Sequence, residues 1–177
     1  MSQYFDLSIR RIEIKKPKRD LKPVIKLQDE VNKTLLHDEY YYPTDERTIQ
    51  ECLDGDYILL GVYNKDKLIA ASFAFEGGLF FSKPITDWME IPGNKIMCHE
   101  LVVVDMEYRG NGIQKRFMDA TIREARQMGY DTIWCCAHPN NTPSVCSIES
   151  TGYKFADQFV VDGWPRNVYY RSTSIQR

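Results

Sequence analysis

The stretch from Ile96 to Ala137 constrains the fold more than any other part of this chain. A β-rich run, Ile96–Val104, passes through Asp105-Met106-Glu107-Tyr108 into the turn Arg109-Gly110-Asn111-Gly112, and from Gly112 to Met128 apolar residues recur at helical spacing. At about 100° per residue Ile113, Phe117, Met118, Ala120, Ala125 and Met128 share one arc, while Lys115, Arg116, Asp119, Arg123, Arg126 and Gln127 share the other. Gly129 falls where a helix ends on a left-handed residue, and Thr132–Ala137 follows as a buried strand. Strand, helix and strand in that order make a βαβ unit.

Elements of both kinds flank this unit. Leu7–Ile14 alternates with the period of a strand, and Leu21–Leu36 recurs at helical spacing through Val24, Ile25, Leu27, Val31 and Leu35. A short helix is expected from Thr44 to Leu53, with Thr44 as its N-cap and Asp45 and Glu46 complementing the helix dipole. Tyr57–Tyr63 and Leu68–Phe75, joined by Asn64-Lys65-Asp66, read as an antiparallel hairpin. Residues 77–95 read as a long loop of the kind that shapes a substrate site. Beyond the centre come a helix over Thr142–Thr151, ended by Gly152, and strands over Phe155–Val161 and Val168–Ser172. The expected class is mixed α/β (α+β), a single domain over residues 1–177 with a mostly antiparallel sheet around a central βαβ unit.

Composition excludes several functions. With 43% hydrophobic and 27% charged residues the chain is an ordinary globular one, and 177 residues suffice for one core. A net charge of -2, with basic clusters only at Arg10-Arg11 and Lys15-Lys16-Pro17-Lys18-Arg19, offers no stripe for nucleic acid. No apolar run is long enough for a membrane span or a secretory leader, so a cytoplasmic protein is expected. The 5 cysteines form no C-x-x-C pair, which predicts reduced thiols and no metal site, with Cys135 and Cys136 as small core residues of their strand.

A strand that enters a helix through a glycine turn points unpaired N–H groups at the positive end of the helix dipole, a site suited to phosphate. Arg109-Gly110-Asn111-Gly112-Ile113-Gln114 is such a turn, with glycines that admit an anion closely and an arginine that adds charge. By itself it is equally at home in a tight turn that holds no ligand. Residues 99–153 resemble the GCN5-related N-acetyltransferase (GNAT) family, whose pyrophosphate loop reads Arg/Gln-x-x-Gly-x-Gly/Ala. Arg109 and Gly112 match, whereas Gln114 stands where the family has Gly or Ala. A second block, His138-Pro139-Asn140-Asn141-Thr142-Pro143-Ser144, resembles the family's His-Pro-x-Asn-x-x-Ser and continues to Gly152-Tyr153 at its Gly-Phe/Tyr position.

The resemblance implies acetyl-CoA as cofactor and an amine of a small molecule or a protein N-terminus as acceptor, without metal. It implies that the fourth and fifth strands splay, that Val102, Val103 and Val104 pair their backbone with the pantetheine amides, and that Asn141 contacts the pantetheine arm with Ser144 beneath it. Asn141 is equally suited to capping a helix with Pro143 in its first turn. The Tyr that serves many relatives as acid, seven residues after the Asn, is Ile148 here, and Tyr153 suits a packing role. Glu100 and His99, adjacent on the strand and so on opposite faces, are the candidates for the base. Glu100 is read either as that base or as a buried, paired carboxylate, and His99 either as base or as a structural histidine. A rival to turnover is a sensor that binds the cofactor without reacting; a homodimer is compatible with either.

Overall fold

The computed structural model describes residues 9–11, 21–35, 37–41, 43–76, 79–80, 83–84 and 95–174. Their elements run β1 (Ile9–Arg11), α1 (Lys22–Asn32), α2 (Glu46–Cys52), β2 (Tyr57–Asn64), β3 (Lys67–Glu76), β4 (Leu79–Phe80), β5 (Lys83–Pro84) and β6 (Ile96–Val104). After these come α3 (Ile113–Gln127), β7 (Thr132–Ala137), α4 (Thr142–Ser150), β8 (Lys154–Val161) and β9 (Trp164–Ser172). Single turns of 3-10 helix at Asp38–Tyr40 and Met106–Tyr108 lead into α2 and α3.

Seven strands form one sheet in the order β1-β2-β3-β6-β7-β9-β8, antiparallel except where β6 and β7 flank the crossover helix α3. That parallel pairing is short: Ile96, Met97 and Cys98 meet Thr132, Ile133 and Trp134, and nothing further along either strand pairs with the other. Beyond Cys98 the two strands separate, which is the splay that the resemblance implies. β6 stays bonded to β3 all the way to Val104, so the backbone groups of its last residues that face β7 have no strand partner.

Each face of the sheet has its own core. Under α3, Ile113, Phe117, Met118 and Ala125 pack on Ile58, Leu60, Ala70, Ala74, Met97 and Ile133. On the opposite face Leu21, Val24, Leu27 and Val31, with Ile49 and Leu53, cover Leu59, Ala71, Phe73, Leu101 and Val103. A smaller cluster of Ile96, Cys98, Trp134 and Val168 continues that second face toward β9. Burying one Leu-sized side chain in this way stabilises by about 1.5–3 kcal/mol, so the helices are held by these faces more than by their propensities.

Several expectations shift in detail. α1 ends four residues before Leu36, and β9 begins at Trp164 rather than Val168. Asp45, not Thr44, caps α2: its carboxylate accepts from the Thr48 N–H at 3.0 Å, a stronger cap than a hydroxyl offers. The long loop holds a two-stranded ribbon, β4 with β5; its other residues through Asn94, Trp88 among them, lie outside the described residues, as do Tyr42 and most of the Leu7–Ile14 run. Among the described residues no helix is long and apolar enough to cross a membrane.

Candidate active site

The glycine turn has the shape its sequence requires. Gly110 and Gly112 sit at φ +77° and +68°, in the left-handed region that a side chain disfavours, and a Cβ added at either would meet nothing within 4 Å. The turn is thus an open cradle rather than a packed one. Gly112 caps α3 without any side chain, which leaves the first N–H groups of this 15-residue helix pointing outward at its positive end. Arg109 hangs over the same mouth, its Nε donating to the Val104 carbonyl at 3.2 Å, and Asn111 Nδ2 closes the turn by donating to the carbonyls of Tyr108 and Arg109. Buried Ile113 roots the helix start in the core.

Gln114, the departure from the family loop, reaches across to α4: its Nε2 donates to Ser144 Oγ at 2.9 Å. Asn141 caps α4, Oδ1 accepting from the Ser144 N–H at 3.4 Å, and its Nδ2 donates to the Tyr40 carbonyl at 3.3 Å. The capping role weighed for Asn141 is therefore present, together with a tie to the segment before α2. Val102 and Val104 are half-buried along the open side of β6, and Val103 is in the core under α1. Ile148 and Tyr153 are both buried in the core under α3.

The two candidate bases part company. His99 lies on the α3 side, buried, with Nε2 2.7 Å from Ser72 Oγ and Nδ1 without a hydrogen-bond partner. Burial favours its neutral form and lowers its pKa from 6.5 to about 4. Glu100 lies on the other side and is exposed, which removes the reading of a buried structural carboxylate. The register explains why. Leu101 faces Phe73 and His99 faces Ala74, so Glu100 is the extra residue of a β-bulge, and a bulge turns a side chain out of the ladder. Thr44 Oγ1 donates to Glu100 Oε1 at 3.2 Å and Cys98 Sγ to Oε2 at 3.5 Å.

Around Glu100 stand further polar and thiol groups. Thr44 is itself clamped by Gln28, which donates to its carbonyl and accepts from its N–H, both at 3.1 Å, while Tyr41 donates to the same Gln28 at 2.6 Å. Burial and then the Glu100 carboxylate raise the pKa of the Tyr41 hydroxyl and push the Cys52 thiol up to about 11. Cys136 is not a core residue. It is exposed at the surface, yet the protein around it desolvates the thiol, and that, with Glu100 second, pushes it up to about 12 against a downward pull from Arg166. Such a thiol stays protonated at neutral pH and is a poor nucleophile. Arg166, buried on β9, donates through Nη1 to the Glu39 carbonyl at 2.6 Å. The alternation of Arg166, Val168 and Tyr170 could have revealed it, had the strand been read from Trp164. Among the described residues no group of His, Cys, Asp and Glu is arranged to hold a metal.

The splayed sheet thus sets unpaired strand backbone beside a glycine-turn helix N-terminus suited to an anion. The sequence model of the acetyltransferase (GNAT) family matches residues 25–153, and the chain belongs to that family of acetyl-CoA-dependent acyltransferases. Solved structures agree in fold. The ribosomal-protein-S18-alanine N-acetyltransferase from Escherichia coli is 15% identical at a TM-score of 0.69, the match covering 97% of this chain and 96% of that one. An N-acetyltransferase from Staphylococcus aureus Mu50 is 14% identical at 0.69, covering 96% and 100%. yncA from Salmonella typhimurium, solved with its cofactor acetyl-CoA, is 16% identical at 0.68, covering 95% and 94%. No curated protein matches the sequence.

Proposed function

We propose that the protein is a cytoplasmic N-acetyltransferase that moves the acetyl group of acetyl-CoA to a primary amine by direct attack, with Glu100 as the group that takes the amine's proton. The observation that carries this reading is the bulge that sets an exposed carboxylate beside the point where β6 and β7 part. Acetyl-CoA supplies the activated acetyl thioester. Its pyrophosphate fits the cradle of Arg109, Gly110, Asn111, Gly112, Ile113 and Gln114; its pantetheine arm fits the unpaired side of Val102–Val104, with Asn141 and Ser144 at the start of α4 on the far bank. A primary amine arrives mostly protonated at neutral pH, and an exposed carboxylate holds the ammonium and then accepts a proton, directly or through water. Net, a protonated amine and the thioester give the acetamide, the free thiol and one proton.

His99 is assigned a structural role, since its imidazole is buried, already neutral and tied to Ser72. Direct attack is favoured over a cysteine intermediate by the raised thiols of Cys52 and Cys136. A cytoplasmic setting is supported by the donor and by five cysteines that are all free.

The test is turnover. Purified protein, acetyl-CoA and a panel of amines should release free coenzyme thiol, and Glu100→Gln should lower kcat about a hundredfold or more while leaving the cofactor dissociation constant unchanged. Cofactor binding with no thiol release across the panel would instead favour the non-reacting sensor, a reading to which Ile148 in place of the usual acid lends weight.

A further inference from the structure

Arg166 presents a problem that the transfer reaction alone does not solve. It is 5% exposed, and its guanidinium spends one donor on a neutral carbonyl, that of Glu39. Among the described residues it has no carboxylate partner, while the Glu39 side chain is engaged by His37 at 3.3 Å. A charge withdrawn from water without a counter-ion is costly, and four guanidinium N–H donors remain beyond the one that binds Glu39.

The strand register shows which face of the sheet carries that residue. Cys98 pairs with Trp134, and Trp134 with Tyr170. Cys98, Trp134 and Val168 share one apolar cluster, so they lie on one face, and by alternation Cys136 and Arg166 share it too. Two residues past Cys98, Trp134 and Tyr170 the chain brings Glu100, Cys136 and Val168 level, with Arg166 one step further out, beyond the Ala137–Asn167 pair. On this face a carboxylate therefore stands on one bank of the splay and a guanidinium on the other, with Cys136 between them and feeling both charges. Among the described residues Glu100 is bonded to a hydroxyl and a thiol and to no cation.

We propose that the acceptor is a free amino acid, held with its ammonium at Glu100 and its carboxylate at Arg166. This rests on the reading of Glu100 as the group that receives the amine. Two opposite charges set across the gap from each other match a zwitterion, and a guanidinium takes a carboxylate through two parallel hydrogen bonds, which fixes orientation as well as position. A peptide N-terminus, whose α-carboxylate is spent in an amide, leaves Arg166 unanswered, as does a plain alkylamine. Failing to satisfy a built polar site discriminates far more strongly than a change of apolar contact.

The experiment compares each of the common amino acids with its carboxamide and with the amine left by decarboxylation. For at least one amino acid, kcat/KM should exceed that of both analogues by about a hundredfold or more. Arg166→Gln should bring the three within a few fold of one another, and Arg166→Lys should keep part of the preference. Equal kcat/KM for acid, amide and decarboxylated amine in the unaltered protein would overturn the inference. So would a loss in Arg166→Gln that falls on all three alike with a lowered Tm, since that marks a mere staple for the Glu39 carbonyl. Thermal shift of the CoA-saturated protein separates this inference from the transfer reading. If no amine turns over, a shift given by an amino acid, not by its decarboxylated analogue, and lost in Arg166→Gln still upholds the subsite; no shift with any amino acid overturns it.

Discussion

His99 and Glu100 are neighbours in the chain, yet one titration separates them. His99 sits neutral in the core, with a pKa near 4 against 6.5 for an ordinary imidazole. The unfolded chain therefore binds more protons there than the folded one at any pH between those values, and stability must rise with pH across that window. The contribution is complete above about pH 6.5 and is lost progressively down to about pH 4; at pH 5 the cost is about 2 kcal/mol. Urea unfolding at pH 7.5 and 5.0 should show this loss in the native protein and a much smaller one in His99→Gln, which keeps a donor for Ser72 but cannot titrate. An equal pH slope in both proteins would place the titration elsewhere. That His99 and Glu100 take opposite faces could be read from strand alternation. That Glu100 alone turns outward could not, because a bulge is a property of the pair: it exists only once β6 is laid against β3 and Glu100 is found without an opposite number.

At the scale of elements, the starts of α3 and α4 are joined by one hydrogen bond, Gln114 to Ser144. Where the family's loop carries Gly or Ala, this chain spends a longer side chain on fixing the distance between the two banks of its groove. We expect Gln114→Ala and Ser144→Ala each to weaken acetyl-CoA binding by about three- to tenfold, as the loss of one hydrogen bond between neutral groups warrants. The double variant should be no worse than the poorer single one, since both remove the same bond. Isothermal titration calorimetry reads all four proteins, and additive losses would show that each side chain meets the cofactor separately. The sequence made the two helices and their glycine turn legible, because amphipathic period and helix-stop residues are local signals. It left the Gln114 contact unexplained, since its partner lies thirty positions away. The clamp of Gln28 on Thr44 and the tie from Arg166 to Glu39 were hidden for the same reason: long-range polar pairs leave no periodicity behind. Thr44 was misread as a cap because a threonine before two acids looks like one, and only the competing Asp45 carboxylate decides the matter.

The whole molecule has a seam. β1, β2, β3 and β6 form one half of the sheet and β7, β9 and β8 the other, and the halves share three residue pairs of parallel ladder together with the crossover helix α3. In the proposed reading acetyl-CoA lies along the seam and is held from both halves, by the glycine turn and the open side of Val102–Val104 on one bank and by Asn141 at the start of α4 on the other. Its binding should therefore register in global unfolding and not only in the loops it covers. At a hundred times its dissociation constant a ligand adds about 2.7 kcal/mol, and for a chain of this size that corresponds to a rise in Tm of about 5–11 °C. Hydrogen exchange should slow in step along the open side of β6 and hardly at all in β8, the edge strand farthest from the seam. Gly112 allows the electrostatic part to be isolated. A side chain there has open space but an unfavourable φ of +68°, so Gly112→Asp and Gly112→Asn carry the same backbone strain. Only the aspartate sets a negative charge at the helix start that should receive pyrophosphate. Differential scanning fluorimetry should then show both variants with a similarly lowered Tm in the free state, a reduced but present acetyl-CoA shift in Gly112→Asn, and none in Gly112→Asp. Equal shifts in the two would mean that the anion is bound somewhere other than the cradle of α3.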